Sequence, residues 1–179
     1  MKEYLREETG LCYKMAKVLV YNNVKKALGL DQCQFFFYGA APMDPKIRSY
    51  FLSLNIFLVN SYGMSESTGP QNFSDIYTFD FRNLNAFKEV GKKLPGTEEK
   101  IVPLENSAKG EGEICYRGRN LFMGYFKNPE ETNKAIDNEG FLHSGDMGRI
   151  DKNGILFITG RVKELIITAG GENIPPLLI

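Results

Sequence analysis

The sequence lacks an excess of charge of either sign, and it lacks any long apolar run. Its 179 residues contain 22 Lys and Arg against 22 Asp and Glu, so it has no surplus of cations with which to neutralise nucleic-acid phosphates. The longest apolar stretch, residues 52–59, is interrupted by Ser53 and Asn55 and is shorter than the roughly 18 residues of a membrane-spanning helix. The charged first ten residues contain no apolar signal core. We therefore expect no nucleic-acid partner, no transmembrane segment and no secretion.

Cysteine and histidine are also scarce. The three cysteines, Cys12, Cys33 and Cys115, are odd in number and scattered, which is typical of small buried thiols in a reducing compartment. The single histidine, His143, is too little for a histidine-based zinc centre. Hydrophobic residues make up 42% of the chain and charged residues 25%, as in soluble globular proteins. This composition predicts a cytoplasmic protein without a disulfide framework.

The first half of the chain predicts helices alternating with strands. Residues 13–28 have apolar side chains at near-helical spacing, and Gly29 follows as a stop. The lysines of this helix predict an ordinary solvated face; contact with an anionic membrane surface or a coenzyme A phosphate is the alternative. Residues 34–38 form a continuous aromatic run that predicts a buried strand. A helix reaching Leu54 and a strand over residues 56–59 complete the order of a parallel βαβ unit.

Loops with candidate ligand-binding residues follow both predicted strands. The first loop contains small residues that would let a ligand approach the backbone, although they are equally compatible with a plain strand-to-helix turn: Gly39, Ala40 and Ala41. The second loop, residues 60–70, offers the Tyr62 ring to a purine, the Ser65 hydroxyl to a phosphate and the Glu66 carboxylate to Mg²⁺. A capped Ser/Thr-rich turn is the alternative. Ligands of parallel βαβ sheets lie beyond the carboxyl ends of the strands, so this edge predicts a site.

From residue 90 to about residue 160, short strands separated by Gly, Pro and Asn predict a β-rich part. Residues 129–135 predict a short helix capped by Asn128. Residues 147–150 and 155–158 predict a hairpin, because Asn153-Gly154 supplies the positive φ that its turn needs. A polar turn with Asp146 precedes the hairpin, and a charged break and a glycine-rich loop follow it. A rigid hairpin beside a polar joint and a flexible loop is typical of a ligand-holding segment that moves.

Several of these motifs resemble those of the AMP-forming acyl-CoA synthetases, the adenylate-forming superfamily that also contains luciferases. The matching stretches are Tyr-Gly-Ala-Ala-Pro-Met at residues 38–43, Tyr-Gly-Met-Ser-Glu at 62–66, Ser-Gly-Asp at 144–146 and Gly-Arg-Val-Lys-Glu at 160–164. The block from residue 112 to residue 132 resembles a further family segment, to which we assign a mainly structural role. The run at residues 165–176 is most similar to the bubblegum-type long-chain acyl-CoA synthetases. Ser65 replaces the threonine usual in the family and keeps its hydroxyl.

The resemblance implies roles for particular residues. It implies nucleotide binding by Gly39, Ala40, Ala41, Tyr62, Gly63, Met64, Ser65, Asp146 and Arg161. Within this set Asp146 suits a ribose, because one carboxylate can accept from both of its neighbouring hydroxyls, and Arg161 suits ribose or phosphate oxygens. The resemblance also implies that Glu66 binds Mg²⁺, that Lys163 is a domain hinge, and that Gly170 and Gly171 form a loop on the coenzyme A side. His143 is expected to pack in its turn rather than to act as a base.

The resemblance further implies a partial adenylate-forming α/β fold. The expected parts are the α/β part of the large AMP-binding domain over residues 1–89, its β-rich subdomain over 90–160, and a hinge with the start of a C-terminal domain over 161–179. The implied reaction joins a long-chain fatty acid to coenzyme A through an acyl-adenylate, with ATP, AMP and Mg²⁺ as ligands. The implied location is cytoplasmic, with peripheral contact on the endoplasmic reticulum or other membranes as a further possibility.

Two family elements do not occur in this sequence. One is the Ser/Thr/Gly-rich phosphate loop ending in Pro-Lys-Gly, and the other is a catalytic lysine well beyond Pro175-Pro176. We therefore expect a fragment of the enzyme that is inactive by itself. Two alternatives stay open: another adenylate-forming acid–CoA ligase, and a non-catalytic truncated isoform that binds AMP weakly or acts through a partner.

Overall fold

The structure, a computed structural model, describes residues 10–74, 89–105, 107–164, 166–167 and 173–174. These residues divide into two units. The first contains the described residues up to Asn60 together with Ser74, and the second contains residues 61–73 and the described residues from Glu89 onward. Strand β2 begins in the first unit and ends in the second.

The first unit consists of helices and the start of a sheet. Its elements are helix α1 (Leu11–Ala16), a π-helical segment (Lys17–Tyr21), helix α2 (Asn22–Ala27), strand β1 (Phe36–Gly39), helix α3 (Pro45–Ser53) and the first residues of β2 (Leu58–Met64). The helix predicted over residues 13–28 is confirmed, with the π-helical segment in its middle, and Gly29 ends it with a φ of 70°. The strand–helix–strand order is also confirmed, and β1 and β2 are neighbours in a sheet. None of the described helices is long and apolar enough to cross a bilayer.

A buried arginine organises the described core of this unit. Arg48 on α3 is 2% exposed, and its Nε donates to the Leu58 carbonyl at 3.1 Å. Its guanidinium lies 5.5 Å from the ring centre of Tyr38 and 5.9 Å from that of Phe57. Helix α3 begins where the Asp44 carboxylate accepts from the Lys46 amide at 2.8 Å, so a local cap sets the helix start that aims Arg48 inward.

Two expectations of burial in the first unit, for the aromatic strand and for the cysteines, are wrong. Phe37 is 69% exposed, because side chains alternate across β1 and the described residues cover only one of its faces; Phe35, directly before the strand, is 79% exposed. Cys12 and Cys33 are exposed, so only Cys115 is a buried thiol. The apolar residues of α1, α2 and the segment between them are not buried by the described residues. Periodicity gives the type of element but does not state what covers its face.

The second unit is built on an antiparallel sheet. Its strands are the end of β2, β3 (Gly69–Phe73), β4 (Glu89–Lys93), β5 (Thr97–Val102), β6 (Gly112–Gly118), β7 (Leu142–Ile150) and β8 (Leu156–Arg161). Their order in the sheet is β2-β3-β4-β8-β7-β6-β5. Helix α4 (Pro129–Ala135) precedes β7, and a short pair, β9 (Ile166–Ile167) and β10 (Asn173–Ile174), follows β8. Four buried residues form the core of the sheet: Val90, Ile114, Tyr116 and Leu156.

The β-rich pattern of the second half is confirmed, down to its local signals. Asn128 caps α4 by accepting from the Glu131 amide at 3.1 Å, as predicted. The predicted turn at residues 151–154 joins β7 to β8, and Gly154 has a φ of 74°. Asp151 fixes that turn by accepting from the amides of Asn153 and Ile155 at 2.8 and 2.9 Å. Although burial opposes ionisation, these donors hold the pKa of Asp151 below its ordinary value.

Two segments expected to be loops are strands. Strand β2 continues through Met64, turns through a 3-10 segment (Ser65–Ser67) and returns as β3. Residues 71–73, whose pattern predicts no element, belong to β3. The reason for the close hairpin is Gly63: a Cβ at this position would lie 2.2 Å from the Gly69 carbonyl oxygen. The polar turn expected at residues 143–146 likewise lies within β7.

We predict that Gly63→Ala lowers the free energy of unfolding by about 2 kcal/mol, because the new methyl group must displace the backbone of β3. Urea denaturation of the chain measures this change. Ser65→Ala, an exposed substitution two residues along the same hairpin, is the control and should change stability by less than about 0.5 kcal/mol. Equal stability of Gly63→Ala and the wild type would contradict the close approach of the two strands.

Candidate functional site

Three of the residues singled out in the sequence meet at one carboxylate in the second unit. The Tyr62 hydroxyl donates to Asp146 Oδ2 at 2.6 Å, and Arg161 Nε lies 3.3 Å from Asp146 Oδ1. Asp146 and Arg161 are paired residues of β7 and β8, whereas Tyr62 comes from β2. The Asp146 side chain is 15% exposed and that of Arg161 is 65% exposed. The carboxylate is therefore recessed, and its cationic partner remains open to solvent.

Asp146 lies in a bulge of β7. Met147 pairs with Glu113 and His143 pairs with Cys115, so Ser144, Gly145 and Asp146 are inserted opposite a single residue of β6. Gly145 has a φ of 72°, which favours glycine, and the Asp146 amide donates to Ser144 Oγ at 3.0 Å. A bulge re-aims the side chains of a strand, and here it directs Asp146 towards Tyr62 and Arg161.

Glu113 on β6 spans this bulge with its side chain. Glu113 Oε1 accepts from the Gly145 amide at 2.9 Å, and Oε2 lies 2.8 Å from His143 Nδ1. On the other side of the ring, His143 Nε2 is 3.6 Å from Asp137 Oδ2. His143 thus packs beside the bulge between two carboxylates. The sequence pattern around Glu113 indicates a structural role and does not reveal this contact, because the contact joins residues far apart in the chain.

Cys115 lies next to the same pair, with its Sγ 3.5 Å from His143 Nδ1. The potential ligand atoms of Glu113, Cys115 and His143 all lie within 4.8 Å of one another. Burial, together with the charge of Glu113, raises the pKa of Cys115 to about 12, so the thiol is protonated near neutral pH. The group is held by hydrogen bonds in which Glu113 is the acceptor.

Tyr62 is a neutral hydrogen-bond donor. Burial, reinforced by the charge of Asp146, raises the pKa of the Tyr62 phenol well above its ordinary value. Its ring centre lies 6.2 Å from that of Tyr116. The Tyr116 hydroxyl donates to Asn72 Oδ1 at 2.7 Å, and Asn72 Nδ2 donates to Glu99 Oε2 at 3.0 Å. This buried polar chain fixes the ring on which Tyr62 packs, a contribution that the sequence pattern did not reveal.

Glu66, the candidate magnesium ligand, lies in the 3-10 segment between β2 and β3. Its carbonyl accepts from the Phe122 amide at 2.7 Å, and its Oε1 accepts from the Tyr125 hydroxyl at 2.9 Å. The hydrogen bond to Glu66 raises the pKa of Tyr125. A carboxylate held in this way on a half-exposed turn has the hard oxygen atoms that Mg²⁺ prefers.

The remaining candidate residues lie in several places. Gly63 and Met64 lie on β2, and Met64 packs against the core of the sheet. Lys163 is exposed in a 3-10 segment (Val162–Glu164) directly after β8. Gly39, Ala40 and Ala41 belong to the first unit, where all three are exposed and Ala40 has a φ of 66°. Gly170 and Gly171 lie outside the described residues.

Comparison with known proteins shows the family of this chain. The AMP-binding enzyme family matches residues 10–126, which is more than half of the chain. The chain belongs to this family. It is 50% identical over 166 residues to the long-chain-fatty-acid–CoA ligase ACSBG1 of Rattus norvegicus. This match covers 93% of the chain and 22% of the relative, so the chain spans less than a quarter of that protein.

Solved structures of related enzymes have the same fold. MatB of Rhodopseudomonas palustris with bound ATP matches with a TM-score of 0.68 and 30% identity, over 80% of this chain and 28% of that chain. The o-succinylbenzoate coenzyme A synthetase MenE of Bacillus subtilis, in complex with ATP and a magnesium ion, matches with a TM-score of 0.67 and 28% identity. That match covers 78% of this chain and 29% of the synthetase. The adenylate-forming α/β fold expected from the sequence is confirmed.

We predict that Tyr62 and Asp146 are energetically coupled. A double-mutant cycle with Tyr62→Phe and Asp146→Ala should give a coupling free energy of about 1.5–3 kcal/mol, because the hydrogen bond has a charged acceptor. Urea denaturation of the four proteins measures it. The cycle with Tyr125→Phe in place of Tyr62→Phe is the control, since the Tyr125 hydroxyl donates to Glu66 instead. Additive effects of Tyr62→Phe and Asp146→Ala would contradict the contact.

Proposed function

We propose that this chain carries the adenosine-binding part of an ATP-dependent long-chain fatty-acid–CoA ligase. The observation that carries the proposal is the recessed Asp146 carboxylate, held between Tyr62 and Arg161 on the sheet of an AMP-binding enzyme. The similarity to a long-chain-fatty-acid–CoA ligase supports the fatty acid as the substrate that becomes activated. The ATP-bound structural relatives support ATP as its co-substrate.

The arrangement of Tyr62, Asp146 and Arg161 suits the binding of a ribose. A carboxylate has about four lone-pair directions, so Asp146 can keep its contact with Tyr62 and still accept from two ribose hydroxyls. Arg161 is largely exposed, so it can turn towards a ribose or phosphate oxygen without breaking packed contacts. The exposed Ser65 hydroxyl and the ring of Tyr62 would serve the phosphate and the adenine base.

The proposed reaction has two steps. The fatty-acid carboxylate attacks the α-phosphorus of ATP, and pyrophosphate leaves with the electrons of the broken P–O bond. The thiol of coenzyme A then attacks the acyl carbon of the acyl-adenylate, loses its proton and releases AMP. In both steps this chain contributes binding and orientation of the adenosine.

Glu66 would hold Mg²⁺, which supplies positive charge to the phosphates when it is bound. The fit rests on the chemistry of the donor: a carboxylate on a half-exposed turn, with its direction fixed by Tyr125. Removal of Glu66 would then weaken the binding of nucleotides in the presence of Mg²⁺ more than in its absence.

We also propose the division of the chain that the resemblance implies, with residues 1–89 and 90–160 in the large domain and 161–179 at the hinge and beyond. Lys163 supports this division, because it is exposed in a single short turn where a change of φ and ψ breaks little packing. The assignment of Gly170 and Gly171 to a loop on the coenzyme A side rests on the resemblance. Peripheral contact of a cytoplasmic enzyme with a membrane is supported by exposed apolar residues close to the lysines of residues 11–28, such as Leu11, Val18 and Leu19.

The ribose role predicts that the chain binds AMP about tenfold or more tightly than 2′,3′-dideoxy-AMP, because each lost hydroxyl removes a hydrogen bond to a charged acceptor. Asp146→Ala should abolish this difference by weakening the binding of AMP alone. Equilibrium binding of both nucleotides by calorimetry measures the effect. The control is Glu98→Ala, which removes an exposed carboxylate paired with Arg117 on the same sheet. Equal binding of the two nucleotides by the wild type would overturn the assignment.

A second candidate function is non-catalytic binding of AMP, for which the group formed by Tyr62, Asp146 and Arg161 is sufficient by itself. We predict no measurable oleate-dependent exchange of pyrophosphate into ATP by the chain, because loss of even one charge-stabilising donor costs about a hundredfold in rate. Radiolabelled pyrophosphate with ATP, Mg²⁺ and oleate is the assay. Exchange that requires Glu66, tested with Glu66→Ala, would show that the chain catalyses adenylation by itself and would exclude the second function.

A further inference from the structure

We propose that Glu113, acting through Gly145 and His143, is the positioning residue that holds the Asp146 carboxylate in place for the ribose. The part of this proposal that concerns the ribose rests on the proposed function. The part that concerns the bulge rests on the contacts of Glu113 alone. Glu113 itself does not touch the nucleotide in this proposal.

The two oxygens of Glu113 contact the bulge at Gly145 and the strand just before it at His143. Oε1 accepts from the amide of Gly145, the residue immediately before Asp146, at 2.9 Å. Oε2 is 2.8 Å from His143 Nδ1, on the residue where regular pairing with β6 resumes. A bulge interrupts the ladder of backbone hydrogen bonds, so the Glu113 side chain supplies acceptors where the β6 backbone is out of register.

The two nitrogen atoms that face Glu113 suit a carboxylate at this position. A carboxylate only accepts hydrogen bonds, so the contact with His143 assigns the ring proton to Nδ1. Glutamine has one acceptor oxygen and would turn an amide donor towards either Gly145 N–H or His143 Nδ1–H. The Glu113 side chain is 13% exposed, and burial of a charge is costly unless it is fully hydrogen-bonded. Both of its oxygens are bound on β7, which is the arrangement that offsets this cost.

A second carboxylate, that of Asp137, lies on the other side of the His143 ring. Asp137 Oδ2 lies 3.6 Å from His143 Nε2, while Asp137 Oδ1 accepts from the amides of Glu139 and Phe141 at 2.9 and 2.8 Å. These amides belong to the turn that leads into β7, so they fix the Asp137 carboxylate beside the imidazole. The contacts of Glu113 with His143 and Gly145 are therefore flanked by a second carboxylate that is held before the start of the strand.

Hydrogen exchange tests the bulge without any nucleotide. In Glu113→Ala the Gly145 amide should exchange about tenfold faster relative to the core amide of Leu156, because it loses a hydrogen bond to a charged acceptor. Glu113→Gln should show the same direction with a smaller change. The control Glu98→Ala should leave the ratio at the wild-type value. An unchanged ratio in Glu113→Ala overturns the proposal, whether or not the chain binds nucleotides. If the alanine variant does not fold, Glu113→Met, which keeps an unbranched side chain without acceptor oxygens, takes its place, and an unchanged ratio in that variant overturns the proposal.

Nucleotide binding tests whether the bulge serves the ribose. Glu113→Ala should weaken the binding of AMP about tenfold and should leave the binding of 2′,3′-dideoxy-AMP unchanged. In a protein that already carries Asp146→Ala, it should not weaken the binding of AMP any further. If Glu113 had only a structural role, the substitution would weaken the binding of both nucleotides equally, and this result would overturn the positioning role. If the wild type does not distinguish the two nucleotides, the ribose assignment of Asp146 fails, and the exchange at Gly145 still decides whether Glu113 fixes the bulge.

Discussion

The second unit depends on how a recessed negative charge, the Asp146 carboxylate, is kept in one orientation. A carboxylate that is mostly removed from water needs hydrogen-bond donors, and the unit supplies them from β2 and β8 through Tyr62 and Arg161. These donors can converge only if β2 and β7 are rigid relative to each other within the sheet. The buried residues of β4, β6 and β8 provide this rigidity, because they pack into one cluster on the sheet.

The two donors contribute differently. Tyr62 is largely buried, its ring packs near Tyr116, and the raised pKa of its phenol keeps it neutral, so it acts as a permanent and fixed donor. Arg161 is mostly exposed, and an exposed ion pair contributes roughly 0–1 kcal/mol to stability. Tyr62 therefore fixes the carboxylate, whereas Arg161 can exchange its partner at little cost. A site that binds and releases a charged ligand needs both a fixed contact, such as that of Tyr62, and an exchangeable one, such as that of Arg161.

The sequence could predict the features that depend on neighbouring residues. The Asn153-Gly154 turn, the Asn128 cap of α4 and the stop at Gly29 are each determined within a few residues, and each is confirmed. The meeting of Tyr62, Asp146 and Arg161 could be expected only through the resemblance of their motifs to a family. The extension of β2 to Met64 could not be predicted, because it depends on a close approach between Gly63 and the returning strand. The exposure of Phe35 and Phe37 likewise depends on what covers each face of β1.

The least predictable feature of the site is the contact of Glu113 with the bulge that contains Asp146. Glu113 contacts the Gly145 amide where the pairing of β6 and β7 shifts in register, and no local pattern predicts the register of two strands separated by helix α4. Arg161 ends β8 and Lys163 lies in the next turn, so a ligand that draws Arg161 from Asp146 would act directly on the first residues of that turn. On the proposed function, the change of partner at Arg161 links occupation of the adenosine site to the conformation of the hinge.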